Sequence, residues 1–160
     1  MTNSFRKIAL FILCLLSPLA IGLLAFGLAS PGLSTWYQSL NKPSLSVPSN
    51  ILAYIWLGLF LLMGVALFLV AKDHQAKKAY RSAYLSFSAQ LLLSLYWVFL
   101  FFYIKLPGLS FWAMISYLSM IIVSFYYLYQ IKKTAAWLFF PYLIWISYLG
   151  VFNYLIWQLN

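Results

Sequence analysis

Five apolar runs, each long enough to cross a bilayer, dictate what this chain can fold into. About 20 apolar residues in an α-helix span the ~30 Å hydrocarbon core of a membrane. Five segments reach that length: 8–29, 51–71, 83–104, 109–131 and 135–157. In hydrocarbon every backbone amide and carbonyl needs an internal partner, which a helix supplies along its own length. A transmembrane barrel would instead show strands of about ten residues with alternating polarity, and no such pattern is present. The runs and their short connections occupy nearly the whole chain. The expectation is therefore one all-α domain over residues 1–160, an integral membrane bundle of five transmembrane helices with a structured first loop. No internal repeat is visible, which argues against an inverted-repeat transporter. The first run has a rival reading as a secretory leader, because Arg6-Lys7 precede it and Gly27-Leu28-Ala29 close it. Its length suits a span better.

Composition removes most conventional chemistry. Only 7% of the 160 residues are charged, Asp73 is the sole acid, His74 the sole histidine and Cys14 the sole cysteine. No carboxylate pair, no Ser-His-Asp triad and no His/Cys metal cluster can be assembled from that set. Cys14 lies in an apolar run, where a thiol packs as a small hydrophobe. The formal charge of +9 comes from ten cations that flank the apolar runs instead of forming one patch, so nucleic acid is not an expected partner. With five spans, Arg6, Lys7, Lys72, Lys77, Lys78, Arg81, Lys132 and Lys133 share one side, and Lys42 and Lys105 share the other. Eight against two orients the chain with its N-terminus in the cytoplasm and its first loop and C-terminus outside.

Residues 36–48, between the first two runs, carry Trp36, Tyr37, Lys42, Pro43 and Pro48. Aromatics and prolines make a shaped segment, unlike a flexible polar tether, and the expected role is a lid. On the third run Ser82, Ser86, Gln90 and Ser94 recur every four residues and share a helix face. Such groups serve as interhelical glue or as polar lining of a pocket. The chain holds seven Trp, thirteen Tyr and fourteen Phe. Trp137 and Trp157 sit near span ends, as interfacial belt residues do. Trp56, Trp97, Trp112 and Trp145 are expected deeper, where indoles form either packing or flat walls for a planar ligand. Tyr142, Trp145, Leu149 and Phe152 share one helical face, as do Leu52, Trp56, Phe60 and Met63. Asn153 is deep enough in its span to want a partner from another helix.

These residues resemble the TspO/MBR family, the tryptophan-rich sensory and translocator proteins. Trp36, Tyr37, Leu40, Lys42, Pro43 and Pro48 match its first-loop pattern; Ile55, Trp56, Leu59, Phe60, Met63 and Gly64 match that of its second helix. Gln90, Leu91, Leu93 and Trp97 match the third helix, and Pro141, Tyr142, Leu143, Trp145, Asn153, Tyr154, Trp157 and Asn160 the fifth. Ser94-Leu95 replace the usual Asn and first Trp of the third helix, Ser116 replaces an acid after Trp112, and Gln158 replaces the basic residue of the animal sterol motif.

The resemblance implies a five-helix bundle, often a homodimer, with a pocket opening toward the first loop. It implies a tetrapyrrole ligand, protoporphyrin IX or haem, with no required cofactor and no metal site, and sterol-like molecules as further candidates. The expected ligand-binding residues are Trp36, Pro43, Leu52, Trp56, Gln90, Trp97, Trp112, Tyr142, Trp145, Leu149 and Asn153. Trp56 and Trp145 are the candidates for catalysis if the protein degrades porphyrin in light. Lys42 could meet a propionate at the pocket mouth, whereas His74 lies on the opposite side from the lid. Three roles follow: tetrapyrrole handling or stress sensing, photo-oxidative degradation, and passive transfer of apolar cargo. No span holds an ionisable residue of the kind that couples active transport. The expected residence is a bacterial cell membrane.

Overall fold

The computed structural model describes residues 2–73, 75 and 77–160. His74 lies outside them. Five long helices account for the five apolar runs: α1 (Thr2–Ser34), α3 (Ser49–Ala71), α4 (Lys78–Val98), α5 (Pro107–Ile131) and α6 (Lys133–Leu159). Between α1 and α3 lies a single helical turn, α2 (Trp36–Ser39). Each long helix is long and apolar enough to cross a membrane. Each begins ahead of its predicted run.

The helices pack in a closed ring, α1 against α3, α3 against α6, α6 against α5, α5 against α4, and α4 back against α1. Gly64 makes the α1–α3 contact possible. A Cβ there would stand 2.8 Å from the Leu15 Cα and 3.0 Å from the Cys14 carbonyl oxygen. Cys14 is accordingly buried, as its apolar setting suggested. The half of the bundle nearest the basic loops is lined inside by fully buried side chains. Met63, Ala66, Ile121, Phe139 and Ile146 expose nothing there. Within it the Tyr117 and Tyr142 hydroxyls, from α5 and α6, pair with each other.

The serine stripe of α4 faces inward, with Ser86, Gln90 and Ser94 all buried. Its two expected roles, interhelical glue and pocket lining, meet at Ser94, which bonds Tyr117 of α5 and also lies on the wall of the cavity between the helices. Ser86 and Ser94 donate to the carbonyls of Ala83 (3.1 Å) and Leu91 (2.6 Å) in their own helix. A serine hydroxyl finds an acceptor one turn back in its own helix, which does not prevent Ser94 from also meeting a neighbour.

Two helix ends depart from simple geometry. α4 passes into a π-helical turn at Phe99–Tyr103, closed by hydrogen bonds from Ile104 N to Phe99 O (2.9 Å) and from Leu106 N to Leu100 O (3.1 Å). Lys105 then takes φ 63°, the left-handed conformation that ends helices, and Pro107 opens α5. On the opposite side Asp73 accepts a 2.7 Å ion pair from Lys132, tying the α3–α4 loop to the α5–α6 junction.

Candidate functional site

The lid half of the bundle holds a cavity of about 730 Å³. Its wall comes from α1, the first loop, α3, α4 with its π turn, and α6; α5 contributes nothing. Trp56 and Phe60 from α3 lie nearly parallel at 5.4 Å, and Trp97 stacks on Phe101 at 5.6 Å. Tyr148, Leu149 and Phe152 come from α6, and Leu19, Gly22, Leu23 and Phe26 from α1. Apolar surface dominates, as it does in pockets for hydrophobic small molecules.

Helix registers explain the aromatic wall. Residues three or four apart share a helix face, so Trp56–Phe60 and Trp97–Phe101 each present two rings in line. Residues α4 would otherwise turn away are re-aimed by the π turn, which offsets the helix face locally. Phe101 and Phe102 both reach the cavity as a result. Gly32 lies directly against the Phe102 carbonyl, so α1 can approach this turn only without a side chain there.

Asn153 closes the deep polar corner. Its Oδ1 accepts from Trp97 Nε1 at 2.8 Å and from Ser110 Oγ at 3.0 Å, and its Nδ2 donates to Pro107 O at 2.9 Å. The side chain joins α4, α5 and α6 at one point and holds the Trp97 ring in place. The partner this asparagine needed from another helix is thus found on two.

The first loop covers the cavity at its water-facing end, with Tyr37, Gln38 and Val47 on the wall. It is pinned to the end of α6. Asn41 N donates to Asn160 Oδ1 (2.9 Å), Asn160 Nδ2 donates to Asn41 O (3.1 Å), and the Tyr148 hydroxyl donates to Leu45 O (2.5 Å). Burial pushes the Tyr37 phenol up from its ordinary value, with Tyr148 adding to the effect. Lys42 stands 4.7 Å from the centre of the Tyr37 ring, a cation–π contact at the loop surface.

Of the residues singled out in the sequence, Leu52, Trp56, Trp97, Leu149 and Asn153 lie on the cavity wall. Trp145 and Tyr142 stand behind Trp56, edge-on to it at 6.4 and 6.5 Å. Trp36 packs on the back of Phe101 at 5.1 Å, and Pro43 is half-buried in the loop; neither reaches the wall. Gln90 is fully buried and is not on the wall, one helical turn before Ser94, which is. Trp112 requires correction. It projects from the outer face of α5 and is 61% exposed, so it belongs with Trp137 and Trp157 among the outward-facing indoles. Depth along a span does not fix azimuth, and only packing decides which side of a helix faces inward. The α1 contribution and the Phe101–Phe102 pair carry no recognisable sequence signal, since α1 is apolar all round.

Among the described residues no group of three or more His, Cys, Asp or Glu could hold a metal ion. The described wall residues likewise include no His, Cys or Met. The wall is suited to stacking on a ligand and offers no imidazole, thiolate or thioether to a metal at its centre.

The TspO/MBR family matches residues 12–158. The chain is 29% identical to a tryptophan-rich protein TspO of Chlorobaculum tepidum over 155 residues, 97% of this chain and 98% of that protein. It is 35% identical to the translocator protein of Bos taurus over 130 residues, 78% of this chain and 75% of that one. A tryptophan-rich protein TspO of Archaeoglobus fulgidus is 29% identical over 146 residues, 91% of this chain and 94% of that protein. With five membrane-length helices and a match across nearly its whole length, this multi-pass membrane protein belongs to the TspO/MBR family.

Proposed function

We propose that the protein binds a planar, apolar tetrapyrrole of the porphyrin type in the lid-side cavity, and that it acts in porphyrin handling or stress sensing at a bacterial cell membrane. The observation that carries this reading is the aromatic cavity itself. Its 730 Å³ falls within the ~300–1,000 Å³ of small-molecule pockets. Trp56, Trp97, Phe60 and Phe101 offer flat faces to a macrocycle, while the polar atoms of Tyr37, Gln38 and Ser34 gather at the loop end, where propionates would meet water. The cation-poor loop side faces outward in this reading, as the charge asymmetry favours.

The test is a titration of the purified full-length chain with protoporphyrin IX, followed by tryptophan fluorescence. Saturable quenching in the micromolar range is expected; an unchanged spectrum there would sink the proposal. A second reading, light-driven porphyrin oxidation by dioxygen, is favoured by one observation. Trp145 meets Trp56 edge-on directly behind the wall, with its indole nitrogen buried. Illumination of the complex should then yield a product spectrum that Trp145→Phe abolishes. Equal bleaching of porphyrin without protein would remove that reading.

A further inference from the structure

The loop that covers the cavity is latched to the end of α6, and the cavity also opens elsewhere. Leu23, Phe26 and Leu57 all line it and yet are 74%, 62% and 50% exposed, and Ala53 beside them is exposed as well. Residues that line a cavity while facing outward mark its rim; Ser30, Ser34 and Gln38 do so at the loop end, and these four do so farther from it. Two of these belong to α1 and two to α3, so the opening is a cleft between those helices. Its lower limit is set by the backbone contact of Gly64 with Leu15 and by the Phe60 ring lying over Gly22.

The rim position decides what the opening communicates with. Leu23 and Phe26 lie within the Ser4–Ser34 span, and Ala53 and Leu57 within the Ile51–Ala71 span. All four side chains are hydrocarbon. A water-facing mouth would carry polar groups, as the loop end does; a rim of bare hydrocarbon at membrane depth faces acyl chains. The water-facing end, by contrast, carries the exposed polar wall residues Ser30, Ser34 and Gln38, and its loop is latched by the Asn41–Asn160 pair and by Tyr148 on Leu45.

We infer that the α1–α3 cleft is a lateral portal through which cargo reaches the cavity from the hydrocarbon core, and that a phospholipid acyl chain occupies it when no other ligand is bound. The portal rests on the tetrapyrrole reading only for the identity of the cargo. Occupancy by an acyl chain is independent of it. The chemistry is the same for both: the apolar part, a macrocycle or an acyl chain, slides between Leu23–Phe26 and Ala53–Leu57 from the lipid in which it is already dissolved, while the charged end, propionate or headgroup, stays toward the loop-side interface. Passage through the loop would require breaking its hydrogen bonds and carrying an apolar molecule through water.

Two measurements on the full-length chain in phosphatidylcholine vesicles test this. In the first, the outward indoles are removed (Trp112→Phe, Trp137→Phe, Trp157→Phe) and the vesicles carry acyl chains brominated at mid-length, which quench tryptophan on contact. Quenching of the remaining indoles is expected, and Ala53→Phe, which places a ring in the cleft, should cut it about twofold or more. Interior indoles left unquenched, or quenching indifferent to Ala53→Phe, would overturn the portal. In the second, protoporphyrin IX predissolved in the vesicles is loaded and the rate of quenching recorded. Ala53→Phe should slow loading about fivefold and Leu57→Ala, which widens the cleft, should speed it about twofold. Asn160→Ala, which frees the loop, should change it little. Faster loading in Asn160→Ala with no response to either cleft variant would overturn the inference. Absence of porphyrin binding would refute the tetrapyrrole reading alone, since the brominated-lipid result stands without it.

Discussion

Replacing Asn153 by leucine should unpin the Trp97 wall at a cost that the hydrogen bonds define. Ser110 Oγ lies 2.9 Å from Pro107 O as well as 3.0 Å from Asn153 Oδ1, and its one proton serves one acceptor at a time. When Asn153 is removed, Ser110 turns to Pro107, and both groups keep a partner. The loss therefore falls on the Trp97 indole N–H, which sits in a residue only 7% exposed and donates at 2.8 Å to Asn153. Leaving a buried donor unpaired costs ~1–3 kcal/mol. Within membranes, side-chain hydrogen bonds average ~0.6 kcal/mol and reach ~1.7, because the unfolded chain in lipid also finds partners. Since leucine restores the lost volume, about 1–2 kcal/mol of destabilisation is expected for Asn153→Leu. Reversible unfolding in mixed micelles titrated with SDS, followed by circular dichroism, measures it. A double-mutant cycle with Trp97→Phe isolates the bond from the changes in packing. Coupling of roughly 0.6–1.7 kcal/mol is expected. Additivity of the two substitutions would refute the assignment of Asn153 as the residue that fixes the Trp97 ring.

Four further outcomes follow from other parts of the molecule. Trp56→Leu should weaken protoporphyrin binding about 2- to 10-fold, the equivalent of a ring contact of ~0.5–1.5 kcal/mol, whereas Trp112→Leu should leave binding unchanged; fluorescence titration separates them. Gly64→Ala should destabilise by ~1–3 kcal/mol, because its Cβ would press on the α1 backbone, which cannot swing aside. Gly58→Ala, whose Cβ meets nothing within 4 Å, should stay within about 1 kcal/mol of the parent chain in the same SDS titration. The hydrogen bond and charge of Lys132 hold the Asp73 carboxyl below its ordinary range. A depressed pKa means that the pair's contribution is present above the unfolded carboxylate value of ~3.9 and is lost as pH falls through the lowered one. The difference in melting temperature between the parent chain and Asp73→Asn should accordingly be small at neutral pH and vanish in strong acid. Asn160→Ala should raise hydrogen exchange at the Asn41 amide, and an unchanged rate would show that the loop is held by other contacts.

Much of the site was legible in the sequence where helical spacing and chemical type agreed. Leu52 and Trp56, four apart, and Leu149 and Asn153, also four apart, share faces that do line the cavity. Asn153 needed a buried partner and has two. Spacing misled where it lacked a second constraint. Trp112 lies at the same depth as real wall residues, but α5 turns that side outward and buries Met114 and Tyr117 instead. Gln90 and Tyr142, expected at the pocket, are buried but do not reach its wall. The π turn that brings Phe101 and Phe102 inward could not be read from Phe99-Leu100-Phe101-Phe102-Tyr103, because a run of aromatics has no phase.

By itself the sequence determined the five spans, their alternation across the membrane and the absence of conventional catalytic machinery. Each follows from transfer free energy and residue count, which are properties of the chain that hold in any packing. Tertiary structure alone decided that α5 stands outside the cavity, that the loop is latched to Asn160, and that the opening lies sideways between α1 and α3. Those features depend on the azimuth of each helix and on where two backbones touch. In a chain apolar on nearly every face, hydropathy leaves azimuth open. Close contacts such as Gly64 on Leu15 settle it.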